Sequence, residues 1–114
     1  MTEQQFTNEL LKWLKQYHWR AFHVRNSGAG GITQVQGDKG FPDVLAIRPP
    51  RILVAELKVG KPGTLKGDPT PEQRAWLEAF EHVQISWKWQ PIETYVWYPQ
   101  MFPAILEILA EGLH

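Results

Sequence analysis

The stretch that decides the fold runs Gly40-Phe41-Pro42-Asp43-Val44-Leu45-Ala46-Ile47-Arg48-Pro49-Pro50-Arg51-Ile52-Leu53-Val54-Ala55-Glu56-Leu57-Lys58. Two apolar runs split by a proline-rich turn read as a β-hairpin. Side chains alternate along a strand, so Ile52, Val54, Glu56 and Lys58 share one face while Leu53, Ala55 and Leu57 share the other. A carboxylate and an ammonium therefore project side by side from the end of an otherwise apolar strand. If the hairpin folds symmetrically about Pro49-Pro50, Asp43 stands directly opposite Glu56, with Cβ atoms about 4.5–5.5 Å apart. The turn leaves a slip of a residue or two open.

Like charges facing each other across a sheet are destabilising, and apolar neighbours make the repulsion worse. A shared proton, Lys58 or a divalent cation must offset it. Two carboxylates at the lip of a sheet suit a hard cation such as Mg²⁺, which takes a few protein oxygens and keeps several waters. Lys58 is placed to orient an attacking water or stabilise developing negative charge. Taken alone, Glu56-Leu57-Lys58 reads as an exposed charge pair ending a strand, since motifs this short recur by chance. The linked set Gly40-Phe41-Pro42-Asp43, hairpin, Glu56-Leu57-Lys58 is far more specific.

Outward from the hairpin, both flanks carry helix starts. Thr2 with Gln5 three residues on is a capping-box pattern, and Phe6, Leu10, Trp13, Leu14 and Tyr17 then recur at helical spacing over about Glu3 to His18. Thr70-Pro71-Glu72-Gln73 is a second capping box, with proline at the first helical position, continued by Trp76, Leu77 and Phe80 to about Glu81 or beyond. Trp19 to Arg25 reads as a short strand, Tyr95 to Tyr98 as another, and Phe102, Ile105, Leu106 and Leu109 as a last helix. Asn26 to Gly40 holds five glycines and reads as a loop, with a small hairpin conceivable inside it; at about 15 residues it is long enough to suggest a function. Gly60 to Pro69 is a second loop, and Val83 to Ile92 has no clear period.

The order helix, strand, hairpin, helix, strand, helix implies one small α/β (α+β) domain over residues 1–114, a mixed central β-sheet flanked by helices. On helix positions, Glu3 falls in register with Phe6 and Leu10, so a third acid could approach the metal region; equally, it suits a helix's first turn as a favourable charge. Gln73 is in register with Trp76, Leu77 and Phe80, pointing its amide inward, or it closes the capping box. Trp13, Trp76 and Trp97 look like core. Trp87 and Trp89, beside Lys88, could stack on bases or meet a second copy, and simple packing is the plainer use. His18, His23, His82 and His114 show no metal-ligand spacing.

With 12 Lys+Arg against 12 Asp+Glu the 114-residue chain is formally neutral, so any contact with a polyanion must be local. Five basic residues and one acid lie between Arg48 and Lys66, against three acids and no Lys or Arg from Gln90 to His114. An apolar share of 43% excludes a disordered chain. The absence of cysteine excludes a disulfide scaffold and thiolate metal sites. No apolar run approaches the roughly 20 residues that span a bilayer, and the first residues do not read as a signal peptide. No P-loop, dinucleotide fingerprint or nucleophile elbow is present.

Together Thr2-Glu3-Gln4-Gln5-Phe6, Gly40-Phe41-Pro42-Asp43, Ala55-Glu56-Leu57-Lys58, Thr70-Pro71-Glu72-Gln73-Arg74-Ala75-Trp76-Leu77 and Tyr95-Val96-Trp97-Tyr98-Pro99 resemble the PD-(D/E)XK nuclease superfamily, and within it the VRR-NUC branch. The likeness spans nearly the whole chain in the expected order. It departs in a longer glycine-rich loop before Gly40 and in the segment His82 to Ile92. What the resemblance implies is a restriction-endonuclease-like fold and Mg²⁺- or Mn²⁺-dependent hydrolysis of phosphodiester bonds in DNA. Asp43, Glu56 and Leu57 would be the metal ligands and Lys58 the catalytic lysine, with Glu3 the first-helix acid and Gln73 the polar residue opening the helix after the catalytic strand. It further implies a homodimeric, structure-selective enzyme acting on branched DNA such as four-way junctions, intracellular and of virus or phage type.

On that reading Arg51, Lys61 and Lys66, with Lys39 and Arg25 bordering the glycine-rich loop, hold flanking phosphates, the 26–39 loop closes over the strand, and aromatics near the C-terminus form the dimer face. The alternatives are a catalytically silent nucleic-acid-binding module on the same fold, a non-enzymatic adaptor for a protein partner, and a nuclease acting on RNA.

Overall fold

The computed structural model describes residues 1–24, 37–86 and 92–113, with residues 84–86 described as backbone only. Its elements run α1 (Glu3–Gln16), β1 (Arg20–His23), β2 (Val44–Arg48), β3 (Arg51–Leu57), α2 (Pro71–Ser86), β4 (Ile92–Trp97), a single 3₁₀ turn (Pro99–Met101) and α3 (Phe102–Ala110). The expected order holds. The conceivable hairpin in the glycine-rich loop, Arg25, and the Trp87–Trp89 pair lie outside the described residues.

The four strands form one mixed sheet in the order β1-β2-β3-β4. β1 and β2 are antiparallel, as are β2 and β3, whereas β3 and β4 are parallel. Parallel neighbours need a crossover connection, and α2 lies on it. The hairpin register runs from Arg48↔Arg51 to Val44↔Ala55, which is the symmetric pairing about Pro49-Pro50. One step further along that register Asp43 faces Glu56.

Both expected capping boxes form. Thr2 Oγ1 accepts from Gln5 N at 3.1 Å and Gln5 Oε1 from Thr2 N at 2.8 Å. Thr70 Oγ1 accepts from Gln73 N at 3.2 Å and Gln73 Oε1 from Thr70 N at 2.8 Å. These bonds satisfy amides that a helix start otherwise leaves unpaired. α1 then buries Phe6, Leu10 and Leu14 at helical spacing.

Alternation assigns the two faces of the sheet. Val44, Ala46, Leu53, Ala55, Leu57 and Trp97 pack in one cluster with Phe6, Leu10 and Leu14 of α1 and Ile105 and Leu109 of α3. Glu56 and Thr94 point the other way and meet α2, through Gln73 and Glu81 respectively. Helices therefore cover both faces, and β3 lies between β2 and β4, buried from Leu53 to Leu57. Burying a Leu-sized side chain contributes about 1.5–3 kcal/mol, so a strand that places Glu56 in this row, at 1% exposure, carries a large penalty at that position.

At the closed end of the hairpin two arginines act as a clasp. Arg48 donates to Tyr17 O at 2.9 Å, to Leu109 O at 2.6 Å and to Glu111 O. Arg51 donates to Ile108 O at 2.9 Å and Glu111 O at 2.8 Å, and grips Glu93 with two bonds of 2.8 and 2.7 Å. Both guanidinium groups lie over the Trp19 ring, 4.7 and 4.9 Å from its centroid. Cations at the carboxyl ends of α1 and α3 satisfy orphan carbonyls and complement the helix dipoles. Burial alone would raise the Glu93 carboxyl, but bonds from Arg51 and Tyr95 outweigh it and hold it below the usual range.

Candidate metal centre

The open end of the hairpin, where β2 starts and β3 finishes, collects the acids. Asp43 is held on two sides: its carbonyl accepts from Val24 N at 3.0 Å, and its Oδ2 accepts from Leu57 N at 2.8 Å. The carboxylate thus takes the place of a backbone carbonyl one step past the end of the β2–β3 ladder. Leu57 itself is fully buried, so its side chain belongs to the core and only backbone oxygen could serve a metal.

Glu56 is the strained member. Gln73 Nε2 donates to its Oε1 at 2.9 Å, and Lys58 Nζ lies 3.9 Å from the same oxygen. No described donor reaches Oε2, although it is buried. Asp43 lies within hydrogen-bonding reach of the carboxyl but offers only acceptors unless one of the pair keeps a proton. Burial first, then the bond and repulsion from Asp43, push the Glu56 carboxyl up to about 9, with Lys58 pulling the other way. Burial and the neighbouring Asp43 carboxylate therefore favour the neutral form of the Glu56 carboxyl.

Glu3 joins from the start of α1. As a residue it is exposed, and it is the acid of the first turn of α1. Partial burial of its carboxyl and repulsion from Asp43 raise it, opposed by Lys58 and His23. Glu3 therefore feels the same group of charges, and the first-turn and site-facing roles coincide. Gln73 likewise does both things expected of it: its oxygen closes the capping box while its amide nitrogen holds Glu56. His23, cross-strand from Val44, has no metal-ligand spacing in the sequence; the tertiary fold brings it close enough to act on the Glu3 carboxyl.

Gly40 explains why the segment before Asp43 reads as a motif. Its φ is +91°, and a Cβ there would lie 2.6 Å from the Glu72 carbonyl carbon and 2.8 Å from Gln73 N. The chain leading to Asp43 rests directly on the first turn of α2, the turn that aims Gln73. Phe41 packs edge-on against Trp76, with centroids 5.0 Å apart, and secures the same contact.

The expected phosphate-binding residues divide. Lys61 and Lys66 are exposed on the loop that follows Lys58, and Lys39 is exposed four residues before Asp43, on a surface cavity of about 520 Å³ that also touches Trp76. Arg51 is a correction. It sits at the opposite end of β3, roughly 16 Å from Glu56 at about 3.3 Å per residue, with its donors committed to Glu93 and α3. The basic stretch from Arg48 to Lys66 is therefore two groups, one structural and one beside the acids. Of the aromatics toward the C-terminus, Trp97 is buried as its core reading expects, Tyr95 stacks on it at 4.7 Å, and Phe102 meets Phe6 at 5.3 Å.

Among the described residues the donor set is all hard oxygen, with a buried carboxylate oxygen that meets no donor and one ammonium to balance three acids. That chemistry fits Mg²⁺ or Mn²⁺ held by two carboxylates, a backbone oxygen and water. Among the described residues no group of three His, Asp or Glu side chains is spaced to enclose a metal ion, and no helix is long and apolar enough to cross a membrane. Comparison with protein families, with curated proteins and with solved structures gives no significant match.

Proposed function

We propose that the protein is a Mg²⁺- or Mn²⁺-dependent endonuclease with a restriction-endonuclease-like fold, of the PD-(D/E)XK superfamily and its VRR-NUC branch, hydrolysing phosphodiester bonds in branched DNA. The observation that carries this reading is the convergence of Asp43, Glu56 and Lys58 at one lip of the sheet, with Glu56 buried and one of its oxygens lacking a donor among the described residues. Asp43, Glu56 and the Leu57 backbone oxygen would hold the ion. When bound, such an ion polarises a phosphoryl oxygen and lowers the pKa of a coordinated water.

The chain's own residues supply the rest. The Leu57 amide fixes the Asp43 carboxylate, and Gln73 fixes Glu56, so neither ligand has to be ordered on binding. Lys58, only 16% exposed along its side chain, presents its ammonium where charge develops on the phosphate and helps orient the attacking water. Lys61, Lys66 and Lys39 hold flanking phosphates. Formal neutrality leaves little long-range attraction, which favours a homodimer presenting two sites to a large substrate inside a cell.

The test is cleavage of four-way junction, flap and linear DNA with Mg²⁺ and with Mn²⁺. Junction cleavage abolished by Asp43→Ala and by Lys58→Ala supports the assignment; inactivity on every substrate, or activity unchanged in both variants, refutes it. A catalytically silent nucleic-acid-binding module is favoured by one observation, the lack of a three-side-chain metal cluster among the described residues. It predicts salt-dependent DNA binding that metal does not improve.

A further inference from the structure

Two residues beyond Lys58 the chain enters a small closed loop. Gly60 and Gly67 form its neck, so tightly apposed that a Cβ on Gly67 would lie 1.8 Å from the Lys61 carbonyl oxygen. Inside, Thr64 N donates to Lys61 O at 3.2 Å, and the amides of Gly67 and Asp68 donate to Thr64 O at 3.1 and 3.0 Å. Asp68 Oδ1 accepts from Gly63 N at 2.9 Å. Tyr98 Oη donates to Gly67 O at 2.6 Å, tying the neck to the residue that follows β4. Short loops with touching ends and internal bonds of this kind are compact units, not floppy connectors.

At the head of this loop stands Leu65, 99% exposed, the barest large apolar side chain among the described residues. Exposed Lys61 and Lys66 flank it, and the loop's one acid is turned onto Gly63 N. Full exposure of a leucine forgoes about 2 kcal/mol of burial, and none of the described residues covers the side chain. Its setting, an apolar tip between two cations on a rigid stalk beside Lys58, matches a polyanion with an apolar interior, which is a nucleic-acid duplex.

We propose that Leu65 is a wedge that enters between adjacent base pairs of bound DNA while Lys61 and Lys66 hold the phosphates on either side. Inserted aliphatic side chains partly unstack a base step and kink the duplex, at a cost of a few kcal/mol. That cost is lowest where stacking is already broken, so the wedge selects branch points by deformability, without reading base edges. The inference rests on the nuclease reading for its ligand class and goes beyond it by naming the device that recognises DNA shape.

The test uses 2-aminopurine, whose fluorescence rises on unstacking, scanned along a four-way junction and a matched linear duplex with Ca²⁺ and, separately, with EDTA. The wild-type chain is expected to brighten the probe severalfold at one position near the branch point. Leu65→Ala loses that signal and binds the junction roughly tenfold more weakly, with unchanged thermal unfolding because the side chain packs on nothing. Leu65→Phe retains the signal. Lys61→Ala with Lys66→Ala weakens binding at every sequence yet keeps the signal at saturating protein. Leu65→Ala brightening the probe as the wild type does, or no brightening at any position, overturns the wedge. So does failure to bind DNA, including the case where Leu65→Ala instead disrupts a protein complex. Brightening without cleavage leaves the wedge standing and removes the nuclease; cleavage without brightening does the reverse.

Discussion

Replacing Glu56 by glutamine is expected to stabilise the metal-free protein at neutral pH while abolishing its metal site. The Glu56 carboxyl sits near 9 in the folded chain, raised by burial and then by Asp43, against about 4.3 in an unfolded chain. The folded state thus binds a proton that the unfolded state has released. Stability from this group is complete below the unfolded pKa and is lost as pH rises toward the folded one. At 1.36 kcal/mol per unit, the loss between pH 5 and pH 7.5 is about 3 kcal/mol, a large share of the 5–15 kcal/mol of a typical domain. Glutamine escapes it: its oxygen can accept from Gln73, and its amide can donate to Asp43 in place of the Glu56 carboxyl proton. Urea unfolding in EDTA at the two pH values measures the difference. The variant should gain about 3 kcal/mol on the wild type between pH 5 and 7.5, and Mn²⁺ should stabilise only the wild type, more strongly as pH rises and the proton leaves. Parallel behaviour of the two proteins within about 0.5 kcal/mol would show that Glu56 is ionised throughout, and the burial argument would fail.

Gly40→Ala must strain a positive φ and press a Cβ into the backbone of Glu72 and Gln73, so it should cost about 2 kcal/mol or more in urea unfolding. Gln73→Ala removes both the α2 capping bond and the donor to Glu56; a loss of about 1–2 kcal/mol with weaker Mn²⁺ binding by calorimetry is expected. Arg51→Ala releases Glu93 and the end of α3, and should lower stability by about 2 kcal/mol while leaving the salt dependence of DNA binding unchanged. Lys61→Ala, by contrast, should leave stability alone and reduce the salt slope by about 1.

The elements were legible where one local pattern determined them. Thr2 with Gln5 and Thr70 with Gln73 mark helix starts because a side chain three residues away reaches amides that the helix itself leaves unpaired. The hairpin register followed from the symmetry of two apolar runs about Pro49-Pro50, and with it the meeting of Asp43 and Glu56. Arg51 was misplaced because nearness in sequence to Lys58 and Lys61 says nothing about which end of a strand a side chain occupies. The contact of Phe102 with Phe6 leaves no local sign, because the two rings are far apart in sequence.

By itself, then, the amino-acid order determined what alternation and capping can encode: strands, helix starts, and a pair of acids with a lysine at one lip of a sheet. Only the tertiary structure decided how those groups behave. Burial of Glu56 to 1% exposure needs β2 and β4 on either side and α2 above. The hold of Gln73 on it, the approach of Glu3 and His23, and the diversion of Arg51 to Glu93 depend on elements that meet through the sheet. The reason is physical: a carboxyl's proton affinity and a guanidinium's availability are set by everything within a few ångströms, and most of that comes from distant parts of the chain.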